Sequence, residues 1–322
     1  MTLLKVQGLN VSYKTMKGEL KAVQGVDFEL EQEETLGIVG ESACGKSTLG
    51  LALLNLVPPP GRVTDGRIFL EGEDILSLDN ERLRRTRGKV VSMIFQDPMT
   101  SLNPVKKIGE HFVEAIRAHN PRARRGEALE KAGKILGELG ISPDRMADYP
   151  HQLSGGMKQR IMIGLSLILD PKLLIADEPT TSLDVVIEAQ ILDLLRQLKS
   201  SLNLSMILIT HNLGIVAEVA DKIAIMYGGE IYELAETKTI FKKPLFPYTQ
   251  LLLKLVPNIA SESTSLEWIP GSPPDLSYAI SGCKFAARCP FVFDPCRKER
   301  PSLRDIEPGH RAACHLYDGG RK

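Results

Sequence analysis

GESACGKST, Gly40 to Thr48, is the stretch whose reading decides the fold. It runs G-x-x-x-x-G-K-S from Gly40 through Gly45, Lys46 and Ser47, and TLGIV at 35–39 just before it has the composition of a buried strand. A helix follows at once. In that setting the backbone N–H groups of Gly40, Glu41, Ser42, Ala43, Cys44 and Gly45 turn inward and, with the positive helix N-terminus, make a pocket for phosphate oxygens. Lys46 then reaches the terminal phosphates, Ser47 ligates magnesium, and Thr48 belongs to the same pocket. Cys44, at a wildcard position under a phosphate, reads as a small filler rather than a nucleophile. The bland alternative, a glycine turn that only caps a helix, is disfavoured by the strand before the loop and the helix after it. The loop implies a nucleoside triphosphate but not what its energy is for.

At 322 residues the chain exceeds the size at which one core usually suffices, so two units are expected. Its 40 basic and 40 acidic side chains cancel, which leaves no electrostatic footprint for nucleic acid. The longest apolar runs are cut by Asn55 and Pro58 and by Asp170 and Pro171, short of the ~18 residues that span a bilayer. No basic segment followed by an apolar one stands at the start, so the chain is expected to be soluble and intracellular, meeting a membrane only through partners.

Short apolar runs alternate with amphipathic ones, the mark of an α/β layer structure. Strands are expected at 90–95, 173–177, 206–210 and 223–227, and helices at 46–56, 157–169 and 183–200. Between Pro98 and Asp170 helical patterning replaces the strand signal, which points to a mostly helical insert. After about residue 237 prolines crowd in and four of the five cysteines lie beyond 282, so a boundary is placed there. Internal repeats and long low-complexity tracts are not seen.

LLIADE at 173–178 is an apolar strand ending in two carboxylates. In a chain with a phosphate loop, Asp177 is placed to hold magnesium through its water shell and Glu178 to polarise the attacking water. His211 closes the strand at 206–210 and either contacts the terminal phosphate, orients Glu178 or is structural. In LSGGM at 153–157, Ser154, Gly155 and Gly156 open a helix, a second anion-binding N-terminus in the same chain. One triphosphate does not need two such cradles from distant parts of a monomer. A head-to-tail dimer resolves this, with each nucleotide between one chain's Gly40 loop and the other chain's Ser154 turn.

With these motifs in this order, the sequence resembles the ATP-binding cassette (ABC) ATPases from residue 3 to about 235. The resemblance implies an α/β fold of the P-loop NTPase class, of ABC type: a central mixed sheet, a helical subdomain and a small C-terminal cysteine-rich extension. The nucleotide-binding domain is placed at 1–237 with its helical subdomain at about 98–170, and the extension at 238–322. It also implies that Tyr13 stacks on adenine, that Gln96 reaches the magnesium and the catalytic centre, and that SLD at 182–184 brings Asp184 to the nucleotide. ATP and Mg2+ are the cofactors implied, with Glu178, His211 and Gln96 as the hydrolytic residues.

A narrower resemblance covers nearly the whole chain. FQDPMTSLNP at 95–104, EPTTSLD at 178–184, KPLFPYT at 243–249 and the cysteine-bearing tail are similar to the ATPases of oligopeptide and dipeptide importers. Two departures are Ala43, where glycine is common and where an ordinary backbone conformation is expected, and Asn212, where aspartate usually follows the histidine. The tail reads C-x5-C-x6-C-x17-C at Cys283, Cys289, Cys296 and Cys314, without the C-x-x-C knuckle of structural zinc sites. Four thiolates from one proline-rich segment suit an iron–sulfur cluster, with zinc and free thiols as the alternatives. The resemblance implies a 4Fe-4S cluster, with His315 beside it rather than on it. ATP binding is expected to be independent of the tail.

As partners the resemblance implies two transmembrane permeases, a second related ATPase subunit in a heterodimer and, indirectly, an extracellular solute-binding protein, with the chain peripheral on the cytoplasmic face of the membrane. The solute expected is peptide-like, with an oligosaccharide or nickel as alternatives. A soluble ABC ATPase outside transport is the other class, but no fused second cassette, long coiled coil or basic surface favours it.

Overall fold

The computed structural model describes residues 1–319 except 17, 97–100, 182–183, 256–268 and 279. Parts of the stretches read at 95–104 and 178–184 therefore lie outside the described residues. The chain divides into two compact units, Met1–Leu76 with Leu208–Lys322, and Ser77–Ile207. The helices are α1 (Lys46–Ala52), α2 (Asn80–Lys89), α3 (Ile108–His119), α4 (Arg125–Glu138), α5 (Gly155–Leu167), α6 (Val185–Leu202), α7 (Leu213–Val219), α8 (Thr237–Lys242), α9 (Pro247–Lys254) and α10 (Asp294–Lys298), among the described residues.

In the first unit, β1 (Thr2–Thr15) lies antiparallel between β2 (Gly18–Glu31) and β4 (Gly61–Leu70), and β5 (Glu73–Asp74) continues beside β4. Alternation causes it. Leu4, Val6, Leu9 and Val11 of β1 and Val26, Phe28 and Leu30 of β2 are at most 2% exposed, whereas Lys5 and Glu29 stand opposite one another and pair at 2.7 Å. This sheet was not among the strands expected from sequence, because charged residues at alternate positions break every apolar run that marks a strand buried on both faces.

The other sheet of this unit is mixed. β3 (Thr35–Val39) runs parallel to β9 (Lys222–Tyr227), which turns through Gly228 and Gly229 into antiparallel β10 (Glu230–Glu236). β12 (His310–Ala312) pairs with β10, and β11 (Arg304–Glu307) with β12. Residues from both sides of position 237 thus share one sheet. All five residues of β3 are buried, as a parallel strand covered on both faces requires. α1 ends at Ala52 rather than at 56: Leu56 N donates to Leu51 O at 2.9 Å, Asn55 N donates to Ala52 O at 2.8 Å, and Asn55 takes φ 51. That left-handed stop with its paired backbone bonds terminates a helix whose apolar pattern runs on.

In the second unit β6 (Val91–Ile94) and β7 (Leu173–Asp177) are parallel, with Val91 opposite Leu173 and Ile94 opposite Ala176. The described residues between them form helices and turns without a strand. Their core is built from Ile108, Phe112, Leu136, Ile161 and Ile168, all fully buried. β8 (Ser205–Thr210) carries the chain out of this unit.

Candidate functional site

The phosphate-loop pattern forms a closed turn between β3 and α1. Gly45 has φ 102, and a Cβ there would lie 2.2 Å from the Ala22 carbonyl oxygen; one on Gly40 would lie 2.1 Å from the Met226 carbonyl oxygen. Both glycines of the pattern are therefore required by sterics alone. Lys46 is only 4% exposed, and its Nζ donates to the carbonyl oxygens of Gly40 at 2.8 Å and Glu41 at 2.9 Å. The ammonium thus sits inside the loop that precedes it, while Ser42 and Ala43 are exposed on the loop and Ser47 is half-buried at the helix start. Cys44 is buried, its thiol pKa is pushed up by burial, and its carbonyl accepts from Gly229 N at 2.8 Å. Burial thus favours its neutral thiol. Tyr13 is half-buried, its OH 3.5 Å from Thr48 Oγ1.

Ala43 corrects an expectation. Its φ is 61, in the left-handed region, not an ordinary conformation. An alanine there carries about 1–2 kcal/mol of backbone cost that glycine avoids. Asn212 does what an aspartate would do locally: its Oδ1 accepts from Gly214 N at 2.9 Å and caps α7. His211, just before it, is exposed.

In the second unit, the parallel register delivers two polar residues together. Gln96 and Glu178 each lie two positions beyond the paired residues Ile94 and Ala176. Gln96 Nε2 donates to Glu178 Oε2 at 3.1 Å, and Thr181 Oγ1 donates to the same oxygen at 2.8 Å. Glu178 has φ 44, a strained conformation for a non-glycine residue, of the kind that clusters at functional sites. Asp177, at the end of β7, is 3% exposed. Ser154 caps α5, its Oγ accepting from Met157 N at 3.3 Å, and Ser154 and Gly155 are exposed with Gly156 half-buried. Asp184 caps α6, accepting from Val186 N at 3.1 Å and Ile187 N at 2.9 Å. The sequence singled out Asp184 for the nucleotide; its contacts inside the chain are those of a helix cap.

The tail places Cys283 and Cys289 half-buried and Cys296 and Cys314 buried. Cys283 N donates to Cys296 O at 2.8 Å. The Cys283 thiol is pushed up to about 12 and the Cys314 thiol up to about 11, chiefly by burial and in smaller part by neighbouring thiols of the set. Among the described residues, however, no group of three or more His, Cys, Asp or Glu side chains is arranged to hold a metal ion. The cysteine centre read from sequence is thus a neighbourhood of thiols here rather than a set of converging ligands. His315 has both ring nitrogens engaged, Nε2 on Glu299 O at 2.9 Å and Nδ1 on Asp318 Oδ2. It is not available as a ligand.

Sequence reasoning missed Arg288. Its guanidinium grips the Glu41 carboxylate with two bonds, of 2.7 and 2.8 Å, across 247 positions of sequence, a separation at which no sequence pattern connects the two.

The family model described as ABC transporter matches residues 23–181, and the one described as oligopeptide/dipeptide transporter, C-terminal region, matches 232–296. The dipeptide transport ATP-binding protein DppD of Bacillus subtilis is 45% identical, over 98% of this chain and 95% of its own. DppD of Escherichia coli is 43% identical over 100% and 99%, and the oligopeptide transport ATP-binding protein OppD of Salmonella typhimurium 43% over 97% and 93%. Among solved structures, cbiO1 from Clostridium perfringens, described as part of the ABC transporter complex cbiONQ, superposes with a TM-score of 0.64 at 27% identity, over 75% of this chain and 91% of that one. Among the described residues no helix is long and apolar enough to cross a membrane.

The strained alanine gives a direct test. Ala43→Gly is expected to raise the free energy of unfolding by about 0.5–1 kcal/mol, the left-handed cost relieved minus the added freedom of the unfolded chain. Denaturant titration measures it, and a destabilised variant would place Ala43 in an unstrained conformation.

Proposed function

Because the chain belongs to the ABC transporter ATPases of the oligopeptide and dipeptide type, we propose that it binds ATP in the Gly40–Thr48 loop and hydrolyses it to drive uptake of a peptide-like solute. The observation that carries this is the buried Lys46 ammonium, ringed by the carbonyls of Gly40 and Glu41. Lys46 exchanges those internal acceptors for terminal phosphate oxygens, with the loop N–H groups holding the rest of the phosphate chain. Tyr13 packs on the adenine. Magnesium, when bound, would neutralise phosphate charge, and Ser47, Gln96 and Asp177, the residues assigned to it, each carry an oxygen of the donor type it prefers. Glu178, fixed by Gln96 and Thr181, orients and polarises the attacking water, and His211 contacts the terminal phosphate or steadies Glu178.

Ser154, Gly155, Gly156 and Asp184 close on the nucleotide of a second ATPase subunit in a head-to-tail dimer. The exposed start of α5, with N–H groups at its N-terminus, supports that reading. We assign the second subunit to a related but different chain, and the pair to the cytoplasmic face of a membrane against two permeases fed by an extracellular solute-binding protein. The names of the relatives support transport of dipeptides or oligopeptides. Residues 1–237 form the nucleotide-binding domain and 238–322 its cysteine-bearing extension. The four soft thiols of that extension are the donor type a 4Fe-4S cluster takes, and our reading is that Cys283, Cys289, Cys296 and Cys314 converge on it only when it is bound.

Two experiments test these assignments. Glu178→Gln is expected to keep ATP affinity and lower turnover by about 10²–10⁴-fold, because the isosteric amide fills the site without acting as a base. Lys46→Ala is expected to weaken nucleotide binding itself; wild-type turnover in the first variant or normal binding in the second contradicts the site.

For the tail, anaerobically purified protein is expected to be brown with about four irons per chain. Cys296→Ser is expected to bleach it and Cys44→Ser to leave the colour intact. Colourless protein with one zinc per chain, or metal-free protein with an ordered tail, overturns the cluster.

A further inference from the structure

Glu41 is used at three of its groups at once. Its backbone N–H donates to Tyr248 Oη at 2.9 Å, its carbonyl accepts from Lys46 Nζ at 2.9 Å, and its carboxylate accepts both bonds of the Arg288 fork. Arg288 is itself over-determined. Its side chain is 5% exposed, Nη1 also donates to Tyr227 Oη at 3.1 Å, and Nε and Nη2 donate to the carbonyls of Pro270 at 2.8 Å and Ile269 at 3.3 Å. The guanidinium lies 5.8 Å from the Tyr227 ring centroid. Tyr227, Tyr248 and Phe285 pack ring against ring behind it, with centroids 4.8 to 5.4 Å apart. A planar fork with every donor direction fixed is a rigid strut.

We propose that Arg288 is a positioning residue for nucleotide binding: through Glu41 it fixes the part of the phosphate loop whose carbonyl holds Lys46. The chain of contacts is short and continuous, from Arg288 to the Glu41 carboxylate and from the Glu41 carbonyl to the Lys46 ammonium. Pre-organising a loop lowers the ordering cost of binding, so the effect falls on affinity rather than on the chemical step. Arg288 also stands next to Cys289, so the cysteine-bearing segment must be folded for the strut to exist. This reverses the expectation that ATP binding is independent of the tail. It rests on the assignment of the Gly40–Thr48 loop to the nucleotide.

The test uses the full chain with ADP as the calorimetric probe, and steady-state ATP hydrolysis where the assembled transporter is available. Arg288→Gln is expected to weaken ADP binding about tenfold, equivalent to about 1.4 kcal/mol. KM for ATP should rise by a similar factor while kcat changes less than about twofold, the split expected for lost binding that is uniform along the reaction. Arg288→Lys, which keeps the charge but not the fork, should recover only part of the loss. Glu41→Gln removes the same contact from the loop side and serves if Arg288 variants do not fold; the double variant should be no worse than either single one, as for two residues of one interaction. Wild-type ADP affinity in both single variants, while Lys46→Ala abolishes binding, overturns the role of Arg288 and leaves the phosphate loop standing. Wild-type affinity in Lys46→Ala removes the premise instead. Additive losses in the double variant also overturn the strut.

Discussion

Much of the first unit is arranged around one buried charge. The Lys46 ammonium is nearly sealed from solvent, and an ammonium taken out of water is costly unless its donors are satisfied. Two carbonyls of its own loop supply that, and they are in place only because Gly45 takes a backbone conformation closed to other residues and Gly40 meets the Met226 carbonyl without a side chain between. β3 feeds the loop from a fully buried strand, and the Gly229 N–H anchors the Cys44 carbonyl from the turn between β9 and β10. A desolvated cation is thus already in place inside the loop in the chain alone.

The two units bring polar groups together by different local means. In the first it is loop closure. In the second it is strand register, because parallel pairing of β6 with β7 puts Gln96 and Glu178 at matching distances beyond Ile94 and Ala176, where amide and carboxylate meet. A carboxylate fixed by two donors in a left-handed residue has little orientational freedom left.

Legibility in the sequence followed the range of the interaction. The helix that follows the phosphate loop and the strand at 173–177 ending in acids are determined by neighbours within a few positions, and each begins where the pattern puts it, whereas α5 and α6 run 155–167 and 185–202 against the 157–169 and 183–200 expected. The β1–β2–β4 sheet was not legible, since its strands carry charges at alternate positions and its pairing spans turns and long separations. Neither was the left-handed Ala43, because alanine gives no local sign of positive φ. The bond between Glu41 and Arg288 joins two residues whose surroundings look unrelated in the chain. The strut it forms makes the tail a participant in the loop's geometry, and this is a property of the fold that no motif carries.

That the Gly40–Thr48 loop receives the nucleotide is tested most directly by amide hydrogen exchange on the wild-type chain, read peptide by peptide with and without MgATP. Residues 40–48 are expected to show the strongest slowing on addition of nucleotide, because N–H groups of this stretch other than that of Glu41, which already donates to Tyr248, become donors to phosphate. Bound nucleotide with unchanged exchange across 40–48, and slowing elsewhere, would contradict it.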